Sequence, residues 1–141
     1  IESGNNLEIT GIRVIKYPID YNGGDNADND YVHFRYADVL LMKAEALLRT
    51  GDAAGALTIV NQVRAKRGAS ALASLDADGL LAERGREFYW EGWRRQDMIR
   101  FGKFLLPFQG KPGTSGDERL LFPIPAAAVA VNPNLEQNPG Y

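Results

Sequence analysis

Cysteine is absent from this 141-residue sequence, and histidine occurs once, as His33. Disulfide bonds and thiolate metal sites are therefore excluded, and a single imidazole cannot form a histidine cluster for zinc. Sixteen Lys and Arg residues against 18 Asp and Glu residues give a net charge of −2. This balance lacks the basic surplus that attracts nucleic acid. The apolar runs are far shorter than the ~20 residues that span a bilayer.

What the sequence does have is helical periodicity. From about Phe34, in the stretch RYADVLLMKAEALLRTGD, apolar side chains recur at helical spacing. We expect the helix to stop at Gly51, a typical C-terminal signal. Asp52 is placed to cap a second helix, AAGALTIVNQVRAKRG, which ends at Gly68. Such a short connection predicts an antiparallel helix hairpin of the tetratricopeptide type, with Ala44 and Ala56 allowing close approach.

The remaining segments predict a mainly α fold with minor extended segments and a loop-rich C-terminus. Residues 1–32 are expected to form a strand, GIRVIKYPI at 11–19, and a polar loop, and residues 33–141 a helical region. One long, packed helix is predicted from Asp76 or Asp78 to Phe101. The residues after it are turn-rich, with LLFPIP extended because of its prolines and AAAVAV able to form one or two helical turns.

The predicted long helix carries carboxylates and arginines among apolar side chains. Arginines follow glutamates at i+3 and i+4, as Arg94 and Arg95 follow Glu91, which favours ion pairing over solvent exposure. Arg94 is expected to be largely buried, with a carboxylate partner among Glu87, Glu91 and Glu45. We interpret the charged residues as a structural ion-pair lattice that fixes packing, with these members: Glu83, Glu87, Glu91, Arg94, Asp97 and Glu45.

An enzymatic interpretation of the same helix has less support than the structural one. Glu87 and Glu91 lie one helical turn apart, ~6 Å along the axis, a separation near that of glycosidase carboxylates. A general acid requires a raised pKa, however, and neighbouring arginines hold carboxylates ionised. We therefore expect no catalytic residue, no metal site and no cofactor. A calcium site in DNADND at 25–30 is left open, although Ala27 breaks the EF-hand pattern.

Three ordered motifs resemble the C-terminal part of the SusD/RagB family. The family pattern R-Y-A-E-V-L-L-M-x-A-E-A precedes N-x-V-R-x-R-x-G, then a helix E-R-x-x-E-L-x-x-E-G-x-R-x-x-D-L-I-R, and the chain ends with P-I-P and Q-N-P-G-Y. The first and second patterns are matched by Arg35, Tyr36, Ala44, Glu45, Ala46, Asn61, Arg64 and Gly68. The third and last are matched by Glu83, Arg84, Glu87, Glu91, Gly92, Asp97, Ile99, Arg100, 123–125 and 137–141. Asp38, Phe88 and Arg95 are mild departures from the pattern.

The resemblance implies a binding protein and not an enzyme. Members of this family are cell-surface lipoproteins that bind glycans or other nutrients and sit on a SusC-type TonB-dependent transporter of the outer membrane. The chain is then expected to be roughly the last quarter to third of a full-length member, with the lipidated cysteine outside it. No sugar-binding residue is carried over from the family. The alternative interpretation is a general tetratricopeptide-like scaffold for protein–protein interaction.

Overall fold

The computed structural model describes residues 7–11, 14–18, 20–24, 28–108 and 110–141, and within them the regular structure is helical. Its helices are α1 (Leu7–Thr10), α2 (Tyr36–Arg49), α3 (Ala53–Lys66), α4 (Ala77–Glu87), α5 (Arg94–Arg100) and α6 (Ala126–Val131), with a 3₁₀ turn at Asp117–Leu120. The predicted mainly α class is confirmed. No helix in the described part of the chain is both long and apolar enough to cross a membrane.

The predicted helix hairpin is present as α2 and α3. On α3, Ala56, Ile59, Val60 and Val63 are buried at spacings of three and four residues, which gives one continuous apolar face. That face packs against Leu41 and Ala44 of α2. Ala44 and Ala56 are both fully buried, as expected if small side chains let the two helices come close. The core is completed by Leu75, Leu80 and Phe88 from the segments that follow.

The two-helix connection is set by Gly51 and Asp52. Gly51 has a φ of 93°, which glycine adopts without steric cost. The side chain of Asp52 accepts a hydrogen bond of 2.8 Å from the backbone N–H of Gly55 and so caps α3. The cap predicted from the sequence is confirmed.

Replacing Asp52 by alanine should lower the free energy of unfolding by about 1 kcal/mol, since an N–H of the first turn of α3 loses its acceptor. Denaturant unfolding monitored by circular dichroism measures the change. Asp52→Asn is the matched control, because its side-chain oxygen still caps the helix. Equal losses in both variants would contradict the capping role.

The single long helix predicted from Asp76 to Phe101 is wrong. Asp76 caps α4 as expected, but the helix ends at Glu87 and the chain turns over residues 88–93 before α5 begins. Trp90 and Gly92 both adopt positive φ, 63° and 78°, which no continuous α-helix allows. This turn lets Phe88 and Glu91 both become buried, at 4% exposure each.

Two other expectations concern the ends of the chain. The strand predicted over 11–19 falls partly on residues outside the described ranges, and the described residues 14–18 belong to no helix or strand. At the C-terminus, α6 forms over AAAVAV as expected. Beyond it, the Gln137 amide accepts from the N–H and donates to the C=O of Ile124, at 2.7 and 2.8 Å, and so holds the tail against the proline-flanked segment.

Candidate functional site

Charged side chains from α2 to α5, from the 88–93 turn and from the neighbouring residues Lys16, Arg35 and Arg67 form three groups of ion pairs, which together we call the ion-pair lattice. Its acidic members are Asp38, Glu45, Glu83, Glu87, Glu91 and Asp97. Its basic members are Lys16, Arg35, Arg49, Arg64, Arg67, Arg84, Arg86 and Arg100. Five of its acids were anticipated from the sequence, whereas Asp38 was not placed in the lattice.

The most deeply buried part of the lattice is a triad around Arg84. Its Nη1 donates to Asp38 of α2 at 3.0 Å and its Nε donates to Asp97 of α5 at 2.9 Å. All three residues are 1% exposed. Asp38 Oδ2 has no hydrogen-bond partner among the described residues. Charges removed from water this completely need partners, so the triad ties α2, α4 and α5 to one another.

A second cluster surrounds Arg35, which lies just before α2. Its guanidinium binds both oxygens of Glu91 at 2.8 Å, and it also binds the Glu87 side chain at 2.7 Å. Lys16 adds a contact of 2.7 Å to Glu91, and Arg67 binds Glu87 through two nitrogens. Two guanidiniums lie over the ring of Phe88, that of Arg35 at 5.1 Å and that of Arg84 at 4.9 Å from its centroid.

The remaining lattice pairs connect the hairpin to α4 and α5. Arg100 binds both oxygens of Glu45 at 2.9 Å and Asp97 at 2.7 Å, which joins α5 to α2. Glu83 is bound by Arg64 of α3 at 2.5 Å and by Arg86. Every acid of the predicted lattice therefore has an arginine partner in the structure. We propose that its role is to fix the packing of the helices.

Arg94 is the one predicted lattice member that the structure places elsewhere. It is exposed, and among the described residues it pairs with no carboxylate; its Nη1 donates to the backbone C=O of Leu81 at 2.8 Å. The prediction of a buried, paired Arg94 is wrong because it assumed one helix through residues 88–93. The turn there rotates α5 relative to α4, and Arg84 becomes the buried guanidinium instead.

The sequence did contain a signal for the correct cations. Arg35, Arg64, Arg84 and Arg100 all belong to the motif positions that carry the family resemblance. Spacing along one helix could not reveal their partners, because most of the pairs join different elements of the fold.

The electrostatics of the lattice oppose acid catalysis. Burial alone would raise the pKa of Glu87, but hydrogen bonds and charges from Arg67 and Arg35 outweigh it and hold the pKa below its ordinary value. For Glu91 burial is likewise outweighed by Arg35 and Lys16, so its pKa is also lowered. A glycosidase general acid needs the opposite shift. The pair is therefore suited to holding arginines and not to protonating a leaving group.

Because of these lowered pKa values, the free energy of unfolding depends on pH. Glu45 behaves like Glu87 and Glu91, because Arg100 and Arg49 overcome the effect of burial and lower its pKa. A carboxyl group with a lower pKa in the folded state than in the unfolded state stabilises the fold above its ordinary value of 4.5. That contribution disappears as the pH falls through the folded-state pKa values.

We therefore expect the free energy of unfolding to decrease as the pH is lowered below about 4.5, the ordinary glutamate value. Urea titrations at a series of pH values between 7 and 3 measure it. Glu45→Gln should give a shallower decrease, since one of the three groups no longer titrates. A stability that stays level or rises over that acid range contradicts the expectation.

The sequence of this chain is similar to known proteins. A family model described as the SusD family matches residues 1–141. The starch-binding protein SusD of Bacteroides thetaiotaomicron is 36% identical over 124 residues, which cover 81% of this chain and 22% of that protein. SusD-like protein P38 of Formosa agariphila is 35% identical over 127 residues, which cover 81% of this chain and 25% of that protein.

Solved structures resemble the chain as well. The surface glycan-binding protein A from Bacteroides uniformis has a TM-score of 0.74 and 32% identity, and the match covers 86% of this chain and 30% of that one. A SusD-like protein from Bacteroides fragilis has a TM-score of 0.66 and 28% identity, covering 79% of this chain and 26% of that one. The chain thus spans about a quarter of the length of these relatives.

Proposed function

The chain belongs to the SusD family, and on that premise we propose that it contributes to the binding of glycans at a bacterial cell surface. In this proposal the bound glycan is delivered to a SusC-type TonB-dependent transporter in the outer membrane. The protein acts by binding and delivery, without catalysis and without a cofactor. Attachment to the membrane is through a lipid anchor outside the 141 residues.

The proposal depends chiefly on the family match, which extends along residues 1–141. A relative at 36% identity is named for starch binding. A structural neighbour is likewise named as a surface glycan-binding protein. The geometry of the lattice supports a non-enzymatic role, since Glu87 and Glu91 are occupied by arginines and have lowered pKa values. The described helices then serve as the scaffold that positions glycan-binding elements.

The proposal is tested by binding and by co-purification. The gene product carrying this sequence should bind a panel of oligosaccharides in isothermal titration calorimetry, with at least one ligand showing saturable heat. From outer membranes solubilised in mild detergent, it should co-purify with a large barrel protein.

An absence of glycan binding across the panel, together with no associated barrel, would overturn the proposal. A peptide partner held by the helix hairpin, with no glycan affinity, would instead support the tetratricopeptide-type scaffold. Glycan hydrolysis that disappears in Glu87→Gln, with the protein still folded, would show that the non-enzymatic assignment is wrong.

A further inference from the structure

A surface depression of about 620 Å³ is lined by residues of α4, of the turn over residues 88–93 and of the start of α5. Small residues from α4 and the turn, Gly85 and Gly92, contribute to its lining, and the aromatic side chains of Tyr89 and Trp90 stand beside them. Its charged lining consists of arginines alone; no carboxylate lines it within the part of the chain that the structure describes. A chain with net charge −2 thus has a cationic, aromatic depression.

Trp90 is the unusual feature of this depression. It has a φ of 63°, a conformation that is a genuine outlier for a bulky side chain, and it is 65% exposed. Burial of the indole ring therefore does little to offset the backbone strain. Strained residues persist where the surrounding fold imposes them, and they concentrate at binding and active sites. Tyr89, its neighbour, is also 54% exposed, so two aromatic side chains are accessible together.

Arg94 supplies a cation that the ion-pair lattice does not use. Its Nη1 donates to the C=O of Leu81, and the guanidinium lies so close to Gly85 that a Cβ there would be 2.7 Å from Nη1. The other three arginines of the lining are engaged elsewhere: Arg84 with Asp38 and Asp97, Arg86 with Glu83, and Arg95 with the backbone C=O groups of Arg119 and Leu120. Arg94 has no carboxylate partner within the described ranges, and a guanidinium has five N–H donors in a planar fork.

We propose that this depression binds an acidic sugar residue, such as a uronic acid within a glycan. The apolar face of the pyranose ring stacks on the indole of Trp90, and the sugar carboxylate accepts hydrogen bonds from the free donors of Arg94. An aromatic surface beside a guanidinium that has no carboxylate partner among the described residues suits an apolar ring that carries a carboxylate. The inference rests on the proposed glycan-binding function and specifies the class of glycan for this site.

The experiment compares two oligosaccharides of equal length and linkage, one of glucose and one of glucuronic acid, titrated calorimetrically into the gene product carrying this sequence. Arg94→Gln should weaken binding of the glucuronate oligosaccharide by roughly 10- to 100-fold, because a charge-assisted hydrogen bond is lost. Raising the salt concentration should weaken it too. Lys66→Gln is the matched control, since it removes one positive charge from an exposed position in the last turn of α3 that does not line the depression, and it should leave the affinity unchanged.

A second variant separates binding from folding. Trp90→Gly removes the indole and also removes the strain, because glycine adopts positive φ without steric cost. It should lose binding of the glucuronate oligosaccharide while its Tm is equal to or above that of the unsubstituted protein. A lower Tm in Trp90→Gly would mean that the ring is needed for packing, and the proposal would be overturned.

The outcomes distinguish this inference from the proposed function. Binding of glucose oligosaccharides alone, or glucuronate binding that Arg94→Gln and Trp90→Gly leave intact, overturns the acidic-sugar site and leaves glycan binding standing. Binding of neither oligosaccharide, nor of any in the wider panel, overturns both. Equal binding of polyglutamate would show that the site recognises acidic polymers in general, and the assignment to sugars would fail.

Discussion

Arg84→Ala is expected to destabilise the protein by about 3–5 kcal/mol, a large share of the roughly 5–15 kcal/mol that holds a typical domain folded. The substitution leaves Asp38 without a cation partner among the described residues and Asp97 with Arg100 alone, although both carboxylates are 1% exposed. It also removes one of the two guanidiniums that lie over the ring of Phe88. Denaturant unfolding followed by circular dichroism measures the loss, and failure to recover soluble protein would be its extreme form.

Arg86→Ala is the matched control for this prediction. Arg86 lies two residues further along α4 and pairs with Glu83, but its side chain is 61% exposed, so its loss should cost less than about 1 kcal/mol. A triple variant, Arg84→Met with Asp38→Asn and Asp97→Asn, should recover much of the stability because it removes the buried charges together. Similar effects for Arg84→Ala and Arg86→Ala would show that the buried triad has no special importance.

Arg35→Ala is expected to cost about 2–4 kcal/mol, because Glu91 is then left buried with Lys16 alone. The expected loss is smaller than for Arg84 since the Arg35 side chain is 24% exposed and Glu87 retains Arg67. Thermal unfolding of the variant and the unsubstituted protein gives the difference. The loss should diminish at acidic pH, where both glutamates of the cluster become protonated and no longer need a cation.

Arg35→Lys tests the geometry of this cluster separately from its charge. A lysine keeps the positive charge, but it cannot bind both oxygens of Glu91 and reach Glu87 with one planar group. We expect it to recover only part of the stability lost in Arg35→Ala. Full recovery would mean that the charge alone matters and that the bidentate contact to Glu91 contributes nothing measurable.

The helix hairpin was predictable because its determinants are local. Apolar side chains recur at helical spacing on α2 and α3, and Gly51 and Asp52 mark the connection with a positive φ and a side-chain cap. The turn over residues 88–93 was not predictable in the same way. A single glycine at position 92 does not by itself distinguish a turn from a helix interior, and nothing local in the sequence indicates that Trp90 adopts positive φ. Tertiary packing of Phe88 and Glu91 overrides the helical pattern there.

The ion pairs of the lattice were likewise only partly predictable from the sequence. Carboxylates among apolar side chains on a predicted helix indicate buried acids, and Glu83, Glu91 and Asp97 are indeed buried. The identity of each cation depends on which helices become neighbours, and that information lies in the fold. The burial predicted for Arg94 depends on its i+3 spacing from Glu91 in one continuous helix; because the helix ends at Glu87, Arg84 takes the buried position.

The triad around Arg84 also affects which parts of the protein can unfold separately. Its guanidinium belongs to α4, and its two carboxylate partners belong to α2 and α5. Detaching α4 removes the shared cation from Asp38 and Asp97, and detaching α2 or α5 breaks a buried ion pair with Arg84, so partial unfolding along that seam is unfavourable. We therefore expect the three helices to unfold as one cooperative unit, and the C-terminal segment, which Arg95 of α5 binds through the backbone C=O groups of Arg119 and Leu120, to open at a lower free energy.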